Sequence, residues 1–186
     1  MPSGYLDLAE IEQRADYVKT FEGVHIPGLL QTEDQIRAIS AASVPKLSEG
    51  ELEVRVRFRL RRQEILGGVP YEAVIHEAAL RIRAADSKVA RGQLLQILER
   101  SEHPQVTVRV VPFAVDGFAG IGDPLTYAGG PVPQLDTVLM DTPHGGAFLD
   151  AEAQLARYRE VFSKVEEAAL GVIESRQFIE RVVRCA

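Results

Sequence analysis

The segment at residues 51–66, ELEVRVRFRLRRQEIL, limits the possible folds of this chain more than any other stretch. From Val54 to Leu60, apolar residues and arginines alternate strictly, which is typical of a half-buried strand. The segment nevertheless follows Ser48-x-x-Glu51, a capping-box pattern that marks the start of a helix, and Gly67-Gly68 supplies a natural stop. We predict a helix, because its composition agrees with the cap and because a strand would leave RRQEILGG unexplained.

As a helix, this segment carries apolar side chains on two sides. At about 100° per residue, one stripe holds Leu52, Val56, Leu60 and Leu66, and a second, roughly opposite stripe holds Val54, Phe58 and Ile65. The arginines lie on the flanks between the stripes, where we expect them to be solvated or paired with glutamates. One stripe can face the core of the chain, but the other needs a further partner. We therefore predict an interface on the second stripe, and a homodimer is one way to cover it.

Charge and composition exclude several classes of protein. The 186 residues carry a formal net charge of −6, with a pI near 5.3, which argues against nucleic-acid binding by bulk electrostatics. No apolar run reaches the roughly 20 residues that span a bilayer, and the N-terminus does not resemble a signal peptide. The four histidines lack metal-ligand spacing, and one cysteine, Cys185, cannot form an internal disulfide. We expect a cytoplasmic protein that uses no cofactor or metal and binds no membrane or nucleic acid directly.

The order of predicted elements indicates an α/β fold, with α+β as the alternative. We predict a helix over residues 4–21 and a second helix behind Thr32-x-x-Gln35. After Gly68 we predict a strand at residues 71–76 and a helix at 87–101. Further strands follow in QVTVRVVPF and LTYAGG, and one more strand with a hairpin in DTVLMDTPHGGAFLD. A long helix begins at Asp150, and a last helix covers 173–183. This order predicts a small mixed sheet of about four to five strands flanked by helices. Residues 1–68 would form an N-terminal helical lobe and residues 69–186 the mixed-sheet domain, packed as one compact unit.

His76 and Glu77 are the first candidates for acid–base catalysis. They end a buried strand, where the side chains of open α/β sheets often meet ligands, and a histidine beside a carboxylate can serve as an acid–base pair. Neighbouring residues on a strand point to opposite faces, however, so the two side chains need not share a cavity. The alternative is that Glu77 caps the following turn or pairs with Arg81 or Arg83.

Further candidates lie in the second half of the chain. Asp141 and His144 flank a Pro-Gly turn, where they could form a catalytic pair or bond locally, as turn residues do. Arg109 is available for the carboxylate of a ligand, and Tyr127 is a further acid–base or binding group. The glycines of GFAGIG lack the spacing of a dinucleotide fingerprint, so we interpret residues 117–122 as a sheet connection or a loop at the mouth of a pocket.

Several blocks of this sequence occur together in a known family. HIPGLLQTEDQIRAI, RVRFRLRRQEIL, AVIHEAALR, QLLQILERSEHPQVTVRVVPF and YREVFSKVEEAALGVIESRQFI appear in this order between about Leu8 and Ile179. Together they resemble the uncharacterised C-terminal domain of actinobacterial Xre-type helix-turn-helix regulators, some of which are described as antitoxin-like. The resemblance begins almost at Met1, without the helix-turn-helix, so it does not imply DNA reading by this chain.

The chain departs from the family pattern at positions near the expected pocket. His76 stands where the resemblance leads us to expect an aspartate, and Phe118 and Leu125 replace a histidine and an aromatic residue. The resemblance therefore implies a pocket mouth that is more apolar than usual, with Phe118 contacting the ligand.

These observations favour a regulatory module that binds a small, largely apolar molecule or a partner protein. The alternative is a standalone enzyme recruited to a biosynthetic pathway, with a shaped pocket and the acid–base residues named above. No motif decides whether the chain catalyses a reaction.

Overall fold

The computed structural model describes residues 5–116, 118, 124–142 and 145–185. Within these ranges the helices are α1 (Tyr5–Arg14), α2 (Glu33–Ala41), α3 (Glu49–Arg62), α4 (Glu77–Arg81), α5 (Ser87–Arg100), α6 (Glu152–Ala168) and α7 (Val172–Cys185). The strands are β1 (Tyr17–Glu22), β2 (Tyr71–His76), β3 (Val106–Val111), β4 (Leu125–Gly129), β5 (Thr137–Thr142) and β6 (Gly145–Leu149). They form an open mixed sheet flanked by helices, which confirms the predicted fold class. In this part of the chain no helix is long and apolar enough to cross a bilayer.

The sheet has the strand order β3-β2-β1-β4-β5-β6. The first three strands of this order, β3, β2 and β1, are parallel, and the remaining neighbours are antiparallel. The predicted hairpin in DTVLMDTPHGGAFLD corresponds to β5 and β6. The sheet has one strand more than the upper end of our expectation, and this additional strand, β1, falls where we predicted a helix.

The prediction of a helix over residues 4–21 is wrong for its second half. The helix ends at Arg14, and Tyr17–Glu22 forms β1 in the middle of the sheet. Val18 and Phe21 are both buried but lie on opposite faces of the sheet, so the short run lacks the strict alternation of a half-buried strand. Because β1 pairs with β2 and β4, residues 1–68 contribute a central strand to the sheet of residues 69–186.

The predicted helix in residues 51–66 is present as α3 up to Arg62 and continues as a 3₁₀ turn over Gln63–Ile65, while Leu66 is extended. The Ser48 hydroxyl accepts a hydrogen bond from the Glu51 backbone N–H, and the Glu51 carboxylate accepts one from the Ser48 N–H, which completes the capping box. Val56, on the first apolar stripe, is buried. The capping-box pattern thus predicted the conformation correctly, even though the alternation of apolar residues and arginines favoured a strand.

The second apolar stripe is only partly exposed. Val54 is 42% exposed, whereas Phe58 is half-buried, with the guanidinium of Arg62 6.0 Å from the centre of its ring. Ile65 is buried in the core, although the predicted stripe placed it at an interface with Val54 and Phe58. The cause is local: after Arg62 the chain tightens into a 3₁₀ turn, Gln63–Ile65, in which the helical spacing of 100° no longer holds.

The two faces of the sheet carry separate apolar cores. On one face, Val18 and Ile75 pack with side chains of α5 and α7. On the other face, Phe21 and Val74 pack with α6. The first face extends beyond α5 and α7, towards β1 and β4, and that part is covered by α1, α3 and the segment between β1 and α2.

Candidate functional site

A cavity of about 280 Å³ lies on the first face of the sheet, beneath the N-terminal helices. Its walls come from α1, β1, β2, β4, β5, α2, α3 and residues 26–32, which we call the strap. This volume is at the small end of the roughly 300–1,000 Å³ that ligand pockets occupy. The wall combines apolar side chains, including Leu8, Leu29 and Leu139, with an unusual number of buried polar groups.

Two glutamines hold the strap by hydrogen bonds: Gln31 lies within the strap, and Gln63 follows the end of α3. The Gln63 amide, next to the last turn of α3, donates to the carbonyls of Gly28 (3.1 Å) and Gln31 (2.7 Å). The Gln31 amide donates to the carbonyl of Ile26 at 2.7 Å. An irregular segment has carbonyls that no helix or strand satisfies, and these bonds supply their partners. The blocks HIPGLLQT and RRQEIL, distant in sequence, therefore meet at the cavity.

A third glutamine fixes the end of the strap to α5. Gln93 is buried, its amide nitrogen donates to the Leu30 carbonyl at 2.7 Å, and its oxygen accepts from the Thr32 N–H at 2.8 Å. Thr32 then caps α2, its hydroxyl accepting from the Gln35 N–H. The strap is thus a fixed wall, held by side chains from two helices.

A buried ion pair joins α1 to α3 beside the cavity. Glu12 is 1% exposed, and its two carboxylate oxygens accept from Arg62 at 2.6 and 2.8 Å. This bidentate geometry is the strongest form of an arginine–carboxylate contact. One turn earlier on α3, Arg59 donates to the side-chain oxygen of Gln31 at 2.8 Å. The pair fixes where α1 lies over the sheet.

The inner wall presents hydroxyl groups from three strands. Tyr71 on β2 is 2% exposed, and its hydroxyl has no hydrogen-bond partner within the described ranges. Burial raises the pKa of Tyr71, while the Thr20 side chain on β1, which is near the Tyr71 hydroxyl but forms no hydrogen bond of normal geometry with it, lowers the pKa. The hydroxyls of Thr20 and Thr126, on neighbouring strands, are 3.5 Å apart. A buried polar group without a partner is costly, so the Tyr71 hydroxyl indicates a place for a bound molecule.

The cavity has a carboxylate on its wall and basic side chains towards its mouth. The Glu22 carboxylate lies on the wall next to the hydroxyls, with one oxygen inaccessible to solvent. Arg59 is half-buried and His25 is exposed, so both lie towards the mouth. Arg59 contacts a neutral amide, and no carboxylate in the described part of the chain forms an ion pair with it.

His76 and Glu77, the predicted acid–base pair, make separate structural contacts. The Nδ1 of His76 accepts from the Ala78 N–H at 3.2 Å and caps α4. Glu77 is buried, with one oxygen accepting from Arg81 at 2.6 Å and the other from the Phe113 N–H at 2.8 Å. The alternative reading, in which Glu77 pairs with Arg81, describes these contacts. The structure does not place the two groups as a catalytic pair.

The ring of His76 lies between two phenylalanines. Phe113 contacts it edge-on, with ring centroids 5.0 Å apart, and Phe118 stacks on it at 5.8 Å. Phe118 also packs against the second core through Phe21. Phe118 is thus held among aromatic side chains, and residues 117 and 119–123 of the glycine loop lie outside the described part.

Arg109 and Tyr127 are also used by the fold. The Arg109 guanidinium donates to the carbonyls of Glu166 (2.7 Å), Ala169 (3.1 Å) and Leu170 (3.1 Å), which caps the end of α6. These three bonds use the Nε and one terminal nitrogen of Arg109, and the other terminal nitrogen lies 3.9 Å from the Glu72 carboxylate, so the binding of a ligand carboxylate by Arg109 stays a prediction.

Tyr127 lies on the opposite face of the sheet from the cavity. Its hydroxyl donates to Asp136 at 2.6 Å and accepts from Arg159 at 3.2 Å, and burial raises its pKa. It borders a smaller hollow of about 210 Å³, with Tyr17 stacked on it. Asp136 also accepts from the Gly130 N–H, so this network holds the turn that connects β4 to β5.

Asp141 and His144 are the remaining candidate pair. The backbone of Asp141 belongs to β5, and His144 lies outside the described residues. Across residues 5–116, 118, 124–142 and 145–185, no group of three or more His, Cys, Asp or Glu side chains could hold a metal ion.

The groups of the cavity escaped the sequence analysis because they come from distant elements. Glu12 and Arg62 are 50 residues apart, and nothing in the sequence distinguishes Tyr71 from an ordinary strand residue. One signal was available: Glu12 stands four residues after Leu8 on the same helix face, where a charge needs a buried partner. The arginines of α3 were expected on solvated flanks, whereas Arg62 points into the protein.

One comparison with known proteins gives a match. A family model with the description "Domain of unknown function (DUF5753)" matches residues 5–181. No curated protein and no solved structure matches the chain.

Proposed function

We propose that this chain, which belongs to the DUF5753 family, is a binding module for a small molecule, related to the regulatory domains that accompany Xre-type helix-turn-helix regulators. The cavity beneath the strap carries the proposal. It is small, partly enclosed, and contains the buried Tyr71 hydroxyl without a partner. The resemblance described above supplies the regulatory context, and a molecule bound beneath the strap would contact α1, α3 and the sheet together.

The properties of this cavity favour a ligand with polar groups. The sequence predicts a largely apolar molecule near His76 and Phe118. The Tyr71 hydroxyl would instead need a polar partner when the cavity is filled, because a buried hydroxyl left without one destabilises the complex. The hydroxyls of Thr20 and Thr126 lie 3.5 Å from each other, and each can form a further hydrogen bond.

Binding has more support than the enzymatic alternative. An enzyme acting through His76 and Glu77 would need both groups at one substrate, whereas Glu77 uses both carboxylate oxygens within the protein. A partner protein on the second stripe of α3 has less support too, since Ile65 is in the core and Arg62 covers part of Phe58.

A thermal-shift screen with small metabolites tests the proposal. A ligand at 100 times its Kd stabilises a protein by about 2.7 kcal/mol, which for a chain of this size raises the Tm by about 5–10 °C. Replacing Thr126 with Leu places a larger side chain in the cavity, so we expect the variant to lose most of this shift. Thermal unfolding monitored by circular dichroism provides the measurement.

Thr107→Leu is the matched control. Thr107 is also half-buried on a strand, β3, but does not border the cavity. We expect this variant to keep the full shift with the same compound. A screen without any stabilising compound, or a shift that Thr126→Leu leaves intact, would reject the proposed site.

A further inference from the structure

The polar groups of the cavity also restrict the chemistry of the ligand, provided that the proposed function holds. Arg59 is at the mouth, and its positive charge has a neutral amide as partner. The Tyr71 hydroxyl is at the inner wall and lacks a partner in the described part of the chain. A molecule that fills the cavity therefore meets a cationic donor at one end and a hydroxyl at the other.

We propose that the ligand is a small organic acid whose carboxylate binds Arg59 and whose second polar group bonds to the hydroxyl of Tyr71. A guanidinium is planar, is always charged at physiological pH and presents paired donors that match the two oxygens of a carboxylate. The bond from Arg59 to Gln31 uses one terminal nitrogen and fixes the guanidinium in place. An arginine held in this way loses little freedom when an anion binds.

The second polar group is a hydroxyl, a carbonyl or an amine. Because burial raises the pKa of Tyr71, the phenol is neutral at physiological pH and can either donate or accept a hydrogen bond. The hydroxyls of Thr20 and Thr126 lie on the same wall and have the same two options. Leu8, Leu29 and Leu139 also line the cavity, which suits a short hydrocarbon chain.

Four matched series of linear probes with three to six carbons test this proposal on the full chain. The ω-hydroxy acids and ω-amino acids carry both polar ends, the fatty acids lack the second group, and the α,ω-diols lack the carboxylate. We expect at least one acid that carries both a carboxylate and a second polar group to bind at least about tenfold more tightly than the matched fatty acid and the matched diol. Calorimetric titrations measure these affinities. The series that binds best identifies the second group as hydroxyl or amine.

Substitutions of Arg59 and Tyr71 test which polar group of the ligand each residue binds. Arg59→Gln should weaken the acid about tenfold or more, to the level of the diol, and Arg59→Lys should restore part of the loss because it keeps the charge. Arg57→Gln, on an exposed position of the same helix, should change the affinity less than about twofold. Tyr71→Phe should abolish the preference over the fatty acid and change the unfolding temperature little, because the hydroxyl forms no hydrogen bond of normal geometry within the described residues.

The outcomes separate this proposal from the proposed function. Equal binding of acid and diol, an Arg59→Gln variant that binds the acid normally, or no binding by any probe overturns the organic acid. A different compound that stabilises the protein and is blocked by Thr126→Leu would then leave the proposed function standing. The absence of any stabilising compound rejects the cavity as a binding site altogether.

Discussion

Replacing Glu12 with alanine should lower the free energy of unfolding by about 3–5 kcal/mol, the usual cost of breaking a buried ion pair by removing one partner. Glu12 is 1% exposed, and the side chain of Arg62 is 11% exposed. The truncated variant keeps the guanidinium in a site from which water is largely excluded, without the bidentate carboxylate that compensates its burial. Urea unfolding monitored by circular dichroism gives the free energy and, from its slope, the surface exposed.

Glu10→Ala is the matched control on the same helix. Glu10 forms an ion pair with Arg14, but both side chains are more than half exposed. Exposed pairs contribute about 0–1 kcal/mol, so this variant should remain close to the native stability. Similar losses in both variants would show that helix propensity or net charge, and not the buried pair, determines the effect.

A double substitution separates the effect of breaking the Glu12–Arg62 ion pair from the effect of replacing Glu12 itself. Glu12→Leu combined with Arg62→Met removes both charges and keeps side chains of similar size. Buried pairs replaced by apolar residues are often neutral in stability. We therefore expect the double variant to recover much of the loss seen in Glu12→Ala. A double variant that is as unstable as the single one would contradict this explanation.

Gln93→Leu should lower the free energy of unfolding by about 2–4 kcal/mol. The substitution keeps the volume but leaves the Leu30 carbonyl and the Thr32 N–H without their partner, and each such loss typically costs about 1–3 kcal/mol. The strap should also become less protected, because Gln93 fixes its end to α5. Urea unfolding gives the stability, and native-state hydrogen exchange gives the protection of residues 26–32.

Gln96→Leu, one turn further along α5, is the control for this substitution. Gln96 is half-buried and makes no side-chain hydrogen bond within the described residues. We expect a change within about 0.5 kcal/mol, as for most substitutions away from specific contacts. If Gln96→Leu were as destabilising as Gln93→Leu, the loss would reflect the altered polarity of α5 and not the bonds to the strap.

Local signals in the sequence determined much of the fold. The capping box at Ser48 and Glu51 identified α3 against the alternation of its arginines, since the cap depends on residues three apart. The β-branched run at 106–111 identified β3 for the same local reason. The central strand β1 was missed, because six residues buried on both faces fit a helical period as well as a strand. Pairing with β2 and β4 decides its conformation, and sequence spacing does not contain that information.

The candidate site was largely beyond such reasoning. The sequence directed attention to His76 and Arg109, residue types that often act in catalysis or binding, yet both side chains cap helices. The cavity depends on contacts such as Gln93 to Leu30, 63 residues apart, which neither periodicity nor motif spacing encodes. The blocks HIPGLLQT and RRQEIL, which carry the family resemblance, bond to each other at the strap and border the cavity that we propose as the binding site.

Hydrogen exchange with and without a compound from the screen tests the location of the binding site most directly. If the ligand binds beneath the strap, backbone amides of residues 26–32 and the neighbouring turns of α1 and α3 should exchange more slowly in its presence. Amides around His76 and Phe113 should keep their rates. Slower exchange around His76 and Phe113, with the strap unchanged, would contradict the assignment and return the site to the region that the sequence first indicated.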